Sequence, residues 1–203
     1  MKAKLTFDGA STFKGNLELN KLLIECLSEL EKLKYVERGF NVGNRKESTA
    51  EHSWSCMLLA DILIDFVNEP LDKLKVLEYL LYHDIAEIYA GDAKFNDPEE
   101  MKHKQQREEA AHRKICTFHP SASRFDKIIE QYESRNSSEA KFAKAIDCID
   151  ACIRSLNDET KNRNDGFTEE LIYNRYHPYV SKFAITDTLF DELLTQLRDA
   201  GKI

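Results

Sequence analysis

Apolar residues recur along most of the chain at intervals of three and four, the spacing that lines one face of a helix. From Leu17 to about Val36 the stripe is Leu19, Leu22, Leu23, Cys26, Leu30 and Leu33. The next stripe starts behind Ser48-Thr49-Ala50-Glu51, a Ser-x-x-Glu capping box that predicts a helix to about Val67. Pro70 and Asp72 lead into a helix over 73–90, which Gly91 terminates. A heavily charged helix is expected over 99–118 with a solvated or partner-facing surface, and a short one over 121–134. Ser137 or Ser138 caps a helix to about Leu156, with Phe142, Ile146, Ile149, Ile153 and Leu156 as its core stripe. Two last helices, 168–176 and 187–200, lie on either side of Pro178.

The segments between are polar. Glu37 to Lys46, with Gly39, Asn41, Gly43 and Asn44, reads as a loop, and so does 92–98. Residues 157–166 are linker-like but short, and 1–16 show no period and read as a lead-in. No repeat or second compositional regime divides the chain, so 17–203 is expected to form one all-α domain.

Composition narrows the class further. The 203 residues are 42% hydrophobic and 32% charged, a globular balance rather than a disordered or membrane-embedded one. With 7 Gly and 4 Pro there is too little turn material for a sandwich or barrel. A net charge of −7 argues against polymeric nucleic acid as partner. Asp61 and Asp65 interrupt the most apolar stretch, so no membrane span is expected. Five cysteines without a C-x-x-C pair indicate reduced thiols. Because the first residues also lack an apolar h-region, a cytoplasmic location is expected.

Ionisable residues stand where helices should bury apolar ones. His83-Asp84 interrupts the run Leu74, Leu77, Leu80, Leu81, Ile85, Ile88, and Glu87 follows His83 at i+4 on the same face. Unpaired, these groups would be expensive to desolvate, and a divalent cation offsets that cost by binding imidazole and carboxylate together. His52 lies in the first turn of its helix. Asp147 sits beside the stripe of Ile146 and Ile149, with Asp150 at i+3, and spacing does not choose between the two acids. Two nitrogens and two oxygens suit Mn, Fe, Co, Ni or Zn better than calcium. His103, His112 and His119 lie in or beside the charged helix, where surface positions are expected. Cys116 and His119 form an isolated C-x-x-H, too weak to read as a zinc site.

The ordered set H…HD…D on an all-helical chain resembles the HD-domain metal-dependent phosphohydrolases, and within them the 5′-deoxynucleotidase subgroup. The motifs are Leu33-Lys34-Tyr35-Val36-Glu37-Arg38-Gly39-Phe40, Glu51-His52-Ser53, Leu80 to Glu87, Ala90-Gly91-Asp92 and Glu139 to Asp147, within about residues 19–156. The resemblance implies an HD-domain helical bundle that removes phosphate from nucleoside 5′-monophosphates, deoxyribonucleotides above all, by metal-activated water. It implies one divalent ion per chain (Mn, Co, Fe, Ni, Zn or Mg) on His52, His83, Asp84 and Asp147, preferring Asp147 over Asp150. It makes Arg38, Glu87 and Asp92 the catalytic residues: Arg38 takes the phosphate, Glu87 handles the proton of the attacking water or the leaving alcohol, and Asp92 contacts the sugar or places water. Phe40 joins Arg38 and Asp92 as a substrate contact, and a homodimer is implied. The chain departs from the pattern where Gly39 and Phe40 follow Arg38, since relatives commonly carry Trp directly or a few residues after the arginine, and in Ala93-Lys94-Phe95, where relatives often carry Pro. Alternatives are a non-catalytic nucleotide-binding or scaffold protein, or a hydrolase of another phosphoester such as guanosine tetraphosphate. Against the latter, Ile88 stands where those hydrolases carry a second acid.

Overall fold

The computed structural model describes residues 17–93 and 97–203, so the lead-in expected over 1–16 and the departure at Lys94 lie outside the described residues. Along the chain, α1 (Leu17–Leu30) runs into a 3₁₀ turn over Glu31–Tyr35. A hairpin of β1 (Glu37–Val42) and β2 (Arg45–Ser48) follows, then α2 (Thr49–Leu63) and α3 (Lys73–Tyr82). After α4 (Glu87–Ala90), α5 (Pro98–Lys102) and α6 (Lys104–Cys116) come α7 (Ala122–Ser134) and α8 (Ser138–Asn157). Two further helices, α9 (Glu169–Val180) and α10 (Ala184–Asp199), end the described chain. Helices hold 72% of the residues and strands 5%, the all-α class that the periodicity indicates.

α8 is the centre. It packs against α2, α3, α7, α9 and α10, and buries Ala140, Phe142, Ala143, Ala145, Ile146, Cys148, Ile149, Ala151 and Cys152. A helix surrounded on several sides needs apolar or small residues on more than one face, which accounts for the alanines and cysteines between its isoleucines. Ser137 caps it by accepting the Ala140 N–H at 3.1 Å. A smaller apolar cluster of Leu33, Ile85, Ile115 and Phe125 lies beneath α4, α6 and α7.

Four expectations need correction. The segment read as a loop, 37–46, is mostly hairpin: Val42 pairs with Arg45 across Gly43-Asn44, and Gly43 takes the positive φ of +61° that such a tight turn needs. The helix expected over 73–90 breaks after Tyr82. The His83 imidazole donates from Nδ1 to the Leu80 carbonyl at 2.8 Å, competing with the helical bond to that oxygen. Residues 85–89 then wind with tighter i→i+3 bonds before Gly91, at φ +73°, ends α4. The charged helix also breaks, at His103, and α6 is not merely solvated, since Ala111 and Ile115 are buried. Pro178 does not separate two helices. It sits in the last turn of α9, which continues to Val180 and buries that residue in the core.

The linker-like stretch docks the hairpin. Asp158, buried at the end of α8, accepts the Asn41 N–H at 2.7 Å and the Thr160 N–H at 3.0 Å. At the other end of the hairpin the predicted capping box forms: Ser48 Oγ accepts the Glu51 N–H at 3.3 Å and Glu51 Oε2 accepts the Ser48 N–H at 2.9 Å. Arg45 adds a two-pronged contact to Glu51, and this ion pair, then Ser48, pulls the Glu51 carboxyl down to about 2.

Ser48→Ala should therefore lower stability by about 0.5–2 kcal/mol in urea unfolding, with an unchanged m-value. Because the Glu51 pKa falls on folding from 4.5, its contribution is complete above that value and is lost as pH drops towards about 2. Stability measured across that window should fall less steeply in Glu51→Gln than in the parent.

Candidate metal centre and active site

His52 enters the centre of the molecule because the capping box fixes where α2 begins, which puts this residue one turn in, against α8. It is fully buried, and each ring nitrogen meets a carboxylate from α8. Nδ1 faces Asp150 Oδ2 at 2.7 Å and Nε2 faces Asp147 Oδ1 at 3.1 Å. Ser55 also donates to Asp150, at 2.5 Å to Oδ1. The i+3 spacing therefore places the two acids on opposite edges of one imidazole. Asp150 acts behind the ring and Asp147 on its inner edge.

His83 approaches from the end of α3. With Nδ1–H committed to the Leu80 carbonyl, its Nε2 points inward, 3.3 Å from His52 Nε2. Asp84 Oδ2 lies 3.2 Å from His83 Nε2 and 3.6 Å from His52 Nε2, while Asp147 Oδ1 is 3.9 Å from His83 Nε2. His52, His83, Asp84 and Asp147 thus converge, as the resemblance implies. An ion with bonds of about 2.0–2.2 Å has neighbouring donors about 2.9–3.6 Å apart, close to the spacing here. The donor chemistry agrees. Two ring nitrogens whose other edges donate elsewhere present lone pairs to each other, flanked by carboxylates, and positive charge between them satisfies all four.

The electrostatics point the same way. Burial and Arg38 oppose a charged His52, yet the contacts around the ring, Asp147 and Asp150 among them, hold its pKa well above the ordinary value. Burial likewise opposes ionisation of Asp84 and Asp147. His83 keeps Asp84 low, and Lys144, bonded to Asp147 Oδ2 at 2.6 Å, keeps Asp147 low. Cys56 packs its sulfur 3.6 Å from both His52 ring nitrogens, and burial pushes its thiol up to about 12.

Arg38 reaches this cluster from β1. Its Nε donates to Glu47 Oε2 at 3.2 Å and its Nη1 to Asp84 Oδ2 at 3.5 Å. Burial disfavours the guanidinium's charge, but Asp84, Asp92, Glu87 and Asp147 outweigh it and raise its pKa. Glu87 opens α4, buried, with Thr49 Oγ1 donating to its Oε2 at 2.8 Å. Burial first, then Asp84 and Asp92, pushes its carboxyl well above the usual range.

Two clefts meet here. One, of about 320 Å³, is lined by Arg38, Phe40 and Asp92 with Phe167 and Tyr176. The other, of about 820 Å³, is lined by His83, Asp84, Glu87 and Asp147 with α6 residues Lys104 and Glu108. The Arg38–Asp84 contact joins them. Asp92 and Phe40 therefore stand with Arg38 on the first cleft rather than within the donor cluster. Sequence reasoning did not find Glu47, Lys144 or Thr49, and weighed Asp150 only as a rival ligand. Lys144 and Asp150 were legible as polar residues within an apolar period, whereas Glu47 and Thr49 lie in a polar run, and nothing in one strand or helix names its partner on another.

Residues 30–185 match the family model described as HD domain. Human 5′-deoxynucleotidase HDDC2 (Homo sapiens) is 30% identical over 164 residues, 77% of this chain and 77% of its own length. The Bos taurus protein of that name is 28% identical over 149 residues, 71% of each chain. A predicted metal-dependent phosphohydrolase from Magnetospirillum magnetotacticum MS-1 has a crystal structure that aligns with TM-score 0.75 and 26% identity, over 87% of this chain and 93% of its own. The cyanophage S-2L HD phosphohydrolase DatZ, bound to dA and one catalytic Zn²⁺, shares the fold at TM-score 0.54 and 21% identity, over 86% of this chain and 95% of its own.

Chain freed of metal and then given Mn²⁺, which suits nitrogen and oxygen donors, should melt at higher temperature. At a free concentration of about 100 times Kd the gain is about 2.7 kcal/mol. Asp84→Ala and Asp147→Ala should abolish most of that shift in thermal unfolding followed by circular dichroism. Equal shifts in parent and variants would place the ion elsewhere.

Proposed function

The chain belongs to the HD-domain family, and from that premise we propose that it is a metal-dependent phosphomonoester hydrolase acting on nucleoside 5′-monophosphates, deoxyribonucleotides foremost. The observation that carries this reading is the place of Arg38. Its guanidinium stands between the four-donor cluster and a cleft walled by aromatic side chains, so a group with phosphate at one end and a base at the other fits the sequence of contacts. The curated relatives named 5′-deoxynucleotidase support the same substrate class.

His52, His83, Asp84 and Asp147 hold one divalent ion per chain, drawn from Mn, Co, Fe, Ni, Zn or Mg. When bound, such an ion neutralises phosphate charge and makes water a stronger acid at neutral pH. The chain's own residues supply the rest. Arg38, oriented through Nε by Glu47, turns its fork to the phosphate oxygens and takes part of their charge. Burial and the neighbouring acids favour the protonated form of Glu87, which suits it to give a proton to the departing 5′-oxygen, directly or through one water. Thr49 holds Oε2 of that carboxyl, leaving Oε1 to carry the proton. Asp150 fixes the His52 tautomer by accepting Nδ1–H, so that Nε2 presents its lone pair. Asp92, Phe40, Phe167 and Tyr176 face the nucleoside.

The enzyme works as a homodimer in the cytoplasm. Five free cysteines support the compartment. An apolar stripe on α2 and the turn after it supports the dimer: Trp54, Leu58, Ile62 and Phe66 follow one another at i+4 and are 61%, 47%, 54% and 63% exposed among the described residues.

Phosphate release from a panel of ribo- and deoxyribonucleoside monophosphates tests the activity. Metal-loaded protein should hydrolyse at least the deoxyribonucleotides, and none released across the panel would refute the reading. Glu87→Gln should lower kcat by about 10²–10⁴-fold. Arg38→Ala should lower kcat/KM by about 10–100-fold, chiefly through KM. Asp150→Asn should weaken metal retention by about 10–100-fold against a competing chelator. Paired Trp54→Glu and Leu58→Glu substitutions should convert a dimer to a monomer in light scattering without loss of helical circular dichroism.

A further inference from the structure

The isolated C-x-x-H of Cys116 and His119 dissolves in the tertiary structure. The His119 ring stacks on Phe125, centroids 5.0 Å apart, and its Nδ1 accepts the Ser121 N–H at 3.1 Å. Cys116 instead faces His112, one turn earlier on α6, with Sγ 3.6 Å from His112 Nε2. Asp126, one turn into α7, brings Oδ1 to 3.4 Å from the same nitrogen. The three donor atoms all lie within 4.8 Å of one another.

We propose that His112, Cys116 and Asp126 form a second metal site, separate from the four-donor cluster, and that it takes Zn²⁺. Around a tetrahedral zinc with Zn–S of about 2.3 Å and Zn–N and Zn–O of about 2.0 Å, the sulfur–nitrogen edge is about 3.6 Å and the nitrogen–oxygen edge about 3.3 Å. The distances here match both. A thiolate beside an imidazole and a carboxylate selects zinc over the hard cations Mg²⁺ and Ca²⁺. The floor of the site is the buried ring of Phe125, 5.2 Å from the His112 centroid, which holds that imidazole and dries one side. Asp126 is 64% exposed, which leaves an entry path and room for a water as fourth ligand.

Binding breaks the Cys116 S–H bond and forms an S–Zn bond, the proton leaving to the buffer. His112 ligates through the Nε2 lone pair and Asp126 through its carboxylate, so nothing is oxidised or reduced. The ion bridges α6 to α7. Because Lys104, Glu108 and His112 of α6 wall the 820 Å³ cleft opposite His83 and Asp84, the bridge fixes that wall.

The test uses the full chain freed of metal by chelator, reloaded with Zn²⁺ and cleared of excess, in parent, Cys116→Ser and Asp126→Asn forms. Metal analysis should find one zinc per chain more in the parent than in either variant. The exposed Asp126→Asn change guards against misfolding as the cause. Cys116 is partly exposed whereas Cys26, Cys56, Cys148 and Cys152 are buried, so a thiol reagent reads Cys116 first. Its labelling should slow at least tenfold when Zn²⁺ is added. Equal zinc contents in all three proteins, or labelling unaffected by Zn²⁺, would overturn the proposal. A failure of the four-donor cluster to bind metal would lower all three zinc contents alike and leave their difference intact.

Discussion

Two histidines and three aspartates meet inside a helical core, and their mutual satisfaction constrains most of what surrounds them. His52 is buried with a carboxylate on each ring edge, and buried charge at that density is tolerated only where every group has a partner. Asp150 is answered by His52 and Ser55, Asp147 by His52 and Lys144, and Asp84 by His83 and Arg38. Removing one member leaves another unpaired, so the cluster behaves as one unit rather than a sum of pairs.

Local irregularities follow from that requirement. α3 stops where His83 turns its Nδ1–H to the Leu80 carbonyl, and the tighter winding that follows places Asp84 and Glu87 on the side of the cluster. The hairpin departs from regular pairing between Glu37 and Asn41, the stretch that carries Arg38. Its far end is tied down by Asp158 and its near end by the Ser48–Glu51 cap, so Arg38 is aimed from a fixed frame. A guanidinium held this way spends little conformational freedom on meeting a phosphate.

The bulk acidity of the chain, net −7, describes its outer surface poorly where chemistry is concerned. Asp84, Glu87, Asp147 and Asp150 are directed inward, and their fields favour positive charge at one point, while burial and Asp84 push the Glu87 carboxyl up. The same field raises the pKa of Arg38. One set of acids thus raises the pKa of a guanidinium and of a carboxyl together, each effect set by distance and burial rather than by residue type.

How much of this was legible differs by kind of information. The 3.6 period, the Ser48–Glu51 cap and the Ser137 cap are local, so the positions of α2, α7 and α8 and the all-α class could be read from the chain alone. The resemblance carried by H…HD…D, Arg38 and Glu87 named the residues that converge. The hairpin was missed because Gly-Asn between short polar strands carries little apolar alternation, and the break at His83 because it depends on one side-chain bond to a carbonyl. Which edge of the His52 ring each of Asp147 and Asp150 meets, the Glu47 brace on Arg38 and the pairing of Cys116 with His112 rather than His119 were decided only by tertiary structure. Periodicity reports which face a residue occupies on its own helix, whereas a partner on another helix is fixed by how those helices pack, and no local spacing contains that distance.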